Sequence, residues 1–296
     1  MSISASLVKE LRDMSGAGMM ECKNALVEAD GDIAVAQGLL RKRGQLSADK
    51  KSGRIAAEGR VAFAQSEDSA CAVLVEVNSE TDFVARDKDF IDFATASADA
   101  AFELSGNQAS VDDLLATNLR GGGTLDEARI DLVTKIGENI GVRRFERLQA
   151  NGNIGHYLHQ GSKIGVIVDV TGGDADLRKD LAMHIAASVP LYIAEEQVPQ
   201  EQLERERKFL TEQAEQEGKP PEIVAKMVEG RMRKYLGEIT LLGQPFVKDP
   251  DITVEKLLKR HGASINSFVR FEVGEGMEKK AENFAKEVKA QIEVTS

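Results

Sequence analysis

The chain has 296 residues, 42% hydrophobic and 29% charged, enough for about two domains of ~150 residues with sizeable cores. Its 38 Lys and Arg against 49 Asp and Glu give a net charge of −11, which argues against a broad phosphate-neutralising surface and so against direct nucleic-acid binding. No apolar run approaches the ~20 residues that span a bilayer, and Met1-Ser2-Ile3-Ser4 lacks the basic-then-apolar order of a secretory signal, so no membrane partner is expected.

Residues 3–43 read as three short helices. Ser4 is a plausible N-cap, and Leu7, Val8, Leu11 and Met14 follow at helical spacing. Gly16-Ala17-Gly18 ends that helix, because glycine tolerates the left-handed conformation of a C-cap. Met19, Cys22, Ala25 and Leu26 give a second apolar face, and Asp32 caps a third helix carrying Ile33, Leu39 and Leu40. From Arg41-Lys42-Arg43-Gly44 to Arg54 there are six basic residues and one acid without a strong apolar period. That stretch reads as a solvated linker, with phosphate binding as the alternative.

An internal repeat follows. The first copy runs strand (60–66), turn (Glu67-Asp68), strand (71–77), helix (87–104), helix (125–137) and strand (141–148). The second runs strand (153–159), turn (Gly161-Ser162), strand (163–170), helix (175–188), then, after an insertion, helix (253–261) and strand (267–273). Both closing strands carry the same tripeptide, Arg144-Phe145-Glu146 and Arg270-Phe271-Glu272. Each copy is therefore β-β-α-α-β, a three-stranded sheet with helices on one face, and the class is α+β. The insertion, 194–236, is dense in charged residues and thin in apolar ones. Gly218-Lys219-Pro220-Pro221 separates two helices, so an antiparallel, coiled-coil-like hairpin is expected.

Thr81-Asp82-Phe83-Val84 stands at the corner between the apolar strand 71–77 and the helix beyond it. An aromatic at such a corner either anchors a partner's pocket or folds back onto its own core. Chemistry for catalysis is not visible. There is no Walker-type glycine loop, and His156 and His159 lie on opposite faces of a strand. His184 sits on an apolar helix face, as a satisfied core histidine would. Cys22 and Cys71 are far apart and apolar in context, which suits buried thiols in a reducing cytoplasm. No cofactor and no metal are expected, and the pattern describes a binding protein rather than an enzyme.

Several motifs in one order carry a family resemblance. Leu11-Arg12 with Ser15-Gly16-Ala17-Gly18-Met19-Met20-Glu21-Cys22-Lys23, and Glu76-Val77-Asn78-Ser79-Glu80-Thr81-Asp82-Phe83-Val84-Ala85, resemble the two signatures of bacterial elongation factor Ts. Lys135-Ile136-Gly137-Glu138-Asn139, the segment 159–166, Met183-His184-Ile185-Ala186-Ala187, Gly230-Arg231-Met232, Gln244-Pro245-Phe246-Val247 and Arg270-Phe271-Glu272-Val273-Gly274-Glu275-Gly276 continue it.

The resemblance implies a ubiquitin-associated-like helical module with its linker (1–55), two core halves (56–150; 151–193 with 237–276), a helical hairpin (194–236) and a C-terminal helix (277–296). It implies binding to elongation factor Tu and faster release of its GDP, in a one-to-one complex or a dimer of such heterodimers. By the same resemblance Asp82 and Phe83, flanked by Thr81 and Val84, intrude between helices of the partner and disturb its Mg²⁺ and phosphate site. Met19, Met20, Lys23, Ile136 and Gly137 would contact the nucleotide domain. His159 and the segment from Gln244 to Val247 would lie at or near the partner surface. Lys248 departs from the pattern, standing where some members carry methionine. A non-catalytic scaffold or holdase that grips clients with the module and the hairpin is the competing reading.

Overall fold

The computed structural model describes residues 3–104 and 109–277, so the helix expected over 278–292 lies outside the described residues. Three helices open the chain: α1 (Ala5–Ser15), α2 (Met19–Glu28) and α3 (Ile33–Lys51). Ser4 caps α1 by accepting from the Leu7 amide, and Gly16 closes it at φ 65°. Asp32 caps α3 by accepting from the Val35 amide at 3.0 Å. Leu11, Cys22, Leu26, Ala36 and Leu40 meet in a small core of their own.

The basic stretch expected to be a linker is helix as far as Lys51. Gly44 and Ala48 form a buried small-residue face there. A Cβ at Gly44 would lie 2.9 Å from Thr134 Oγ1 and 3.3 Å from Ile130 Cγ2, so the absent side chain is what lets α3 press against the helix carrying those residues. Alanine and glycine carry little hydrophobic signal, and the surrounding charges hide the face. One helix thus runs from the N-terminal module onto the central core.

That core begins with β1 (Glu58–Gln65) and β2 (Cys71–Ser79), a short α4 (Asp82–Ala85), α5 (Lys88–Glu103), α6 (Val111–Leu115), α7 (Leu125–Ile136) and β3 (Gly141–Gln149). The second half holds β4 (Asn153–His159), β5 (Ile164–Thr171), α8 (Ala175–Ser188), α9 (Gln200–Glu215), α10 (Pro221–Ile239), β6 (Pro245–Phe246), β7 (Asp249–Thr253), α11 (Val254–His261) and β8 (Ser264–Glu272). The sheets are β1-β2-β3 and β4-β5-β8, antiparallel throughout, with a third, two-stranded pairing of β6 and β7.

Every residue of β2 is buried because both of its faces are covered. Val73, Val75 and Val77 point to α5 and α7, whereas Ala72 and Leu74 point to the second sheet. In β5, Val166, Val168 and Val170 meet α8 and α11, and Ile167 meets the first sheet. The layers are therefore helices, sheet, sheet, helices. The sheets approach closely at Gly165, where a Cβ would sit 2.5 Å from Val61 Cγ1.

The repeat of elements is present, but the shared tripeptide does not mark it. Both sheets break register at the same place, after Glu76 in β2 and after Asp169 in β5. Glu76 pairs with Arg144 and Asp169 pairs with Ser267. Arg144 thus corresponds to Ser267, and Arg270-Phe271-Glu272 lies three positions out of phase with Arg144-Phe145-Glu146. Alternation along a strand then puts Phe145 on the helix face and Phe271 between the sheets.

The inserted hairpin is α9 against α10, sealed by Leu210, Ala214, Val224, Val228 and Met232. Arg231 bridges to Glu217 at 2.7 Å and Arg207 to Glu229, so charges flank a thin apolar seam. The 19 residues of α10 make a rod of roughly 28 Å.

Glu76, on the inner face of β2, is 0% exposed. Its carboxylate accepts from Arg143 at 3.0 Å, Arg144 at 2.7 Å and the Gly274 amide at 2.8 Å. The Arg144 guanidinium also lies 4.2 Å from the Phe271 ring centroid. Burial alone would raise the Glu76 pKa, but the hydrogen bonds from Gly274 and the two arginines outweigh it and hold the carboxyl below its usual range. A depressed folded pKa stabilises the native state above the unfolded value of about 4.3, and that contribution is lost as pH falls through the folded pKa. Glu76→Gln is expected to cost about 3 kcal/mol at pH 7 by urea denaturation, with the gap to the parent closing as pH falls below about 4.

Candidate functional site

β2 ends at Ser79, and the chain turns out of the sheet at Glu80. Thr81 caps α4, its Oγ1 accepting from the Val84 amide at 3.4 Å. One turn of helix follows, and its side chains divide sharply. Val84, 9% exposed, and Ala85 enter the core beside Phe90, while Phe83 is 82% exposed. Phe83 therefore does not fold back onto its own core. Val84 does, so the expectation that Val84 touches a partner is corrected: its methyls seat the corner from inside. Asp82 is half-exposed and pairs with Arg86 at 2.9 Å, one helical turn on.

A second segment braces this corner. α7 stops at Ile136, and Gly137 takes a left-handed φ of 89° with its amide bonded to Val133 O at 2.9 Å. The turn carries Glu138 back toward the end of β2. Glu138 Oε2 accepts from the amides of Glu80 (3.1 Å) and Thr81 (3.0 Å), and Oε1 accepts from Thr81 Oγ1 (2.7 Å). Glu80 returns the arrangement, its Oε1 accepting from the Asn139 amide at 2.7 Å and from Arg54 at 3.2 Å. Asn139 Nδ2 donates to the carbonyls of Arg54 (2.8 Å) and Ser52 (3.3 Å). Half-buried Ile136 and exposed Gly137 thus stand beside the Asp82–Phe83 corner.

The other expected residues fall in three places. Met19, Met20 and Lys23 are all exposed on α2. The turn entering α2, at Ser15 and Gly16, shares a shallow depression with Asp89 and Asp92 of α5 and Lys135 of α7. Lys135 also pairs with Asp89, so the module borders the same rim of α5 and α7 that carries the corner. His159 ends β4, half-buried, with Tyr157 Oη 2.8 Å from its Nδ1. Arg60 ties the neighbouring turn to the corner, donating to Ser162 Oγ at 3.1 Å and to the Ala85 carbonyl at 3.5 Å.

Gln244 and Val247 lie apart, around the C-terminal end of α8. Gln244 is 4% exposed, so its expected place on a partner surface is corrected. Its Oε1 accepts from His184 Nε2 at 3.0 Å, and its Nε2 donates to the carbonyls of Glu238 (2.7 Å) and Ser188 (3.1 Å). The Val247 amide donates to His184 Nδ1 at 3.1 Å, which puts the ring proton on Nε2. Burial holds the His184 pKa below the ordinary imidazole range, against the opposing pull of Gln244. This network sets the loop that leaves Val247 exposed, and Val189 and Leu191 are exposed at the same end of α8. Val189 is left-handed at φ 48°, ψ 54°, a strained state for a β-branched residue ahead of Pro190, costing about 1–2 kcal/mol. Lys248 turns back to Asp180 at 2.6 Å.

Sequence reasoning did not assign Glu80, Glu138, Asn139 or Arg60. A signal was present for Glu138, which sits in a quoted motif directly after a helix-ending glycine. Its partner, however, is 57 positions away in the chain.

Comparison with known proteins agrees with the motifs. A family model described as Elongation factor TS matches residues 80–275. The chain is similar to the Elongation factor Ts of Methylococcus capsulatus, 57% identical over 99% of this chain and 99% of that protein. It is similar to that of Thioalkalivibrio sulfidiphilus at 57% (98% of this chain, 99% of the relative) and to that of Legionella pneumophila at 53% (98% and 99%).

The split between Phe83 and Val84 is open to a stability measurement. Phe83→Ala should change unfolding free energy by no more than about 0.5 kcal/mol, as exposed substitutions do. Val84→Ala should cost about 2 kcal/mol through lost burial and a residual cavity. Denaturant midpoints of the two variants against the parent check both values.

Proposed function

Because the chain belongs to the elongation factor Ts family and acts in translation elongation, we propose that it is a guanine-nucleotide exchange factor that binds elongation factor Tu and speeds release of GDP. The observation that carries this reading is Phe83, an aromatic 82% exposed on a corner whose backbone is fixed from both sides. Burying such a side chain against a partner gains about 1.5–3 kcal/mol, and a fixed corner loses little of that gain to ordering.

The action follows from coupling between sites. GDP phosphates in such a GTPase rest on a glycine-rich loop and a helix N-terminus, with Mg²⁺ adding charge. Phe83 enters between helices of that domain, and Asp82 places a carboxylate beside it. A protein that binds the nucleotide-poor conformation more tightly weakens GDP binding, and GDP weakens its binding by the same factor. No bond in GDP is made or broken by this chain. Met19, Met20 and Lys23 of α2, taken as a ubiquitin-associated-like module, dock beside the corner together with Ile136 and Gly137. His159 and Val247 extend the contact along the second half. The charged hairpin lies outside this set.

Release of labelled GDP from elongation factor Tu, followed with this protein well below equimolar, tests the reading. A turnover-free, stoichiometric effect would identify a holdase instead. Phe83→Ala should lose at least about 2 kcal/mol of coupling, roughly 30-fold in exchange efficiency, as central aromatic anchors do. Asp82→Ala should also slow exchange, and the double variant should lose less than the two effects combined, because adjacent residues acting as one wedge are coupled. Replacing residues 199–233 by a short turn should leave the maximal rate of GDP release unchanged, measured at saturating protein.

A further inference from the structure

We propose that Glu138 is a positioning residue for nucleotide exchange, acting through the Phe83 corner rather than by touching the partner. The inference rests on the exchange reading above. α4 has four residues, too few to hold itself as an isolated helix. An unsupported aromatic on such a turn would lie down on nearby apolar surface instead of projecting. One carboxylate prevents this by taking three hydrogen bonds, from the Glu80 amide, the Thr81 amide and the Thr81 hydroxyl. The acceptor is charged, which makes these the stronger class of hydrogen bond. Glu138 stands directly after the left-handed Gly137 that closes α7, so the corner is braced against a three-turn helix of the core. The reciprocal bond from the Asn139 amide to Glu80 fixes the register of the two segments, because neither can slide without breaking both. The braced groups are only half-buried, so water can replace the carboxylate without unfolding the chain. Position should suffer more than stability.

The experiment uses the full chain with Glu138→Ala, Glu138→Gln and the double variant Glu138→Ala with Phe83→Ala. Three quantities are read: release of labelled GDP from elongation factor Tu, thermal midpoint, and amide hydrogen exchange at Glu80 and Thr81. Glu138→Ala should slow GDP release by roughly ten- to hundredfold, the scale of a small misplacement of an acting group. Glu138→Gln, which keeps one acceptor oxygen, should fall between it and the parent. Exchange of the Glu80 and Thr81 amides should quicken roughly tenfold, matching loss of a charge-assisted hydrogen bond. In the Phe83→Ala background the Glu138 change should have no further effect on GDP release. A purely structural role would not produce that silence, since a loss of folded protein lowers activity in either background. Normal GDP release by Glu138→Ala, or an effect that persists in full without Phe83, overturns the proposal. Should the parent itself fail to speed GDP release, the exchange reading fails and this proposal with it, whereas amide protection reports separately whether the brace exists.

Discussion

A buried carboxylate on the central strand of the first sheet fixes the geometry on which everything else depends. Glu76 draws donors from two other segments: two arginines of β3 and the backbone amide of Gly274 beyond β8. An ion set like this adds little net stability over an apolar core of the same shape, because desolvation cancels much of the attraction. It does specify arrangement. Apolar side chains between two sheets tolerate sliding, but a carboxylate with three directed donors does not. Because Glu76 lies three residues before the end of β2, it also fixes where that strand stops and from which point the Thr81 corner leaves the sheet.

From that point the chain places apolar groups at unusual risk. Phe83 is exposed at the first corner, and Val189, Leu191 and Val247 form an exposed group at the end of α8. In both places polar side chains keep the backbone still. Glu138 and Glu80 hold the first, and His184 with Gln244 holds the second. These polar groups act one step behind the surface: they hold the backbone that points apolar side chains outward.

Much of this was legible in the sequence, and the failures have physical causes. Alternation and capping residues located the main strands and helices of both halves but not α6, β6 or β7, and Asp32, Asp87 and Gly137 stand at real helix ends. The segment 41–54 was misread because the α3–α7 seam is made of Gly44 and Ala48, whose smallness is the point of contact and whose hydrophobic signal is nearly nil. The shared tripeptide was a coincidence of composition, and only the pairing of strands could show its phase. Phe83 was ambiguous from local pattern, since a corner aromatic can turn either way, and the family motif decided it. The family resemblance puts Gln244 at or near a partner surface, whereas the side chain is buried. Its burial depends on three acceptors and donors spread over some sixty residues of chain. The brace around Glu138 escaped for the same reason.

The duplicated architecture explains why the two corresponding corners differ. In both halves the middle strand bulges after an acid and then delivers the chain to a helix. In the first half the acid is Glu76, long enough to cross to the other sheet, and the corner beyond it carries Phe83. In the second half the acid is Asp169, shorter by one methylene. Its carboxylate reaches only the adjacent amides of Asn151 (2.8 Å) and Gly152 (2.9 Å). The corner beyond it is Gly172-Gly173, both left-handed, and a Cβ on Gly172 would lie 2.5 Å from the Gly262 carbonyl. That corner lies against the Gly262 turn and the Leu177 side chain and leaves no room for a Cβ, let alone a projecting aromatic. The same strand-to-helix turn thus serves two ends. Where glycines let it collapse it completes the fold, and where Thr81 and Glu138 hold it open it projects an aromatic from the surface. The difference lies in which groups satisfy the backbone at the end of the strand, and not in the topology.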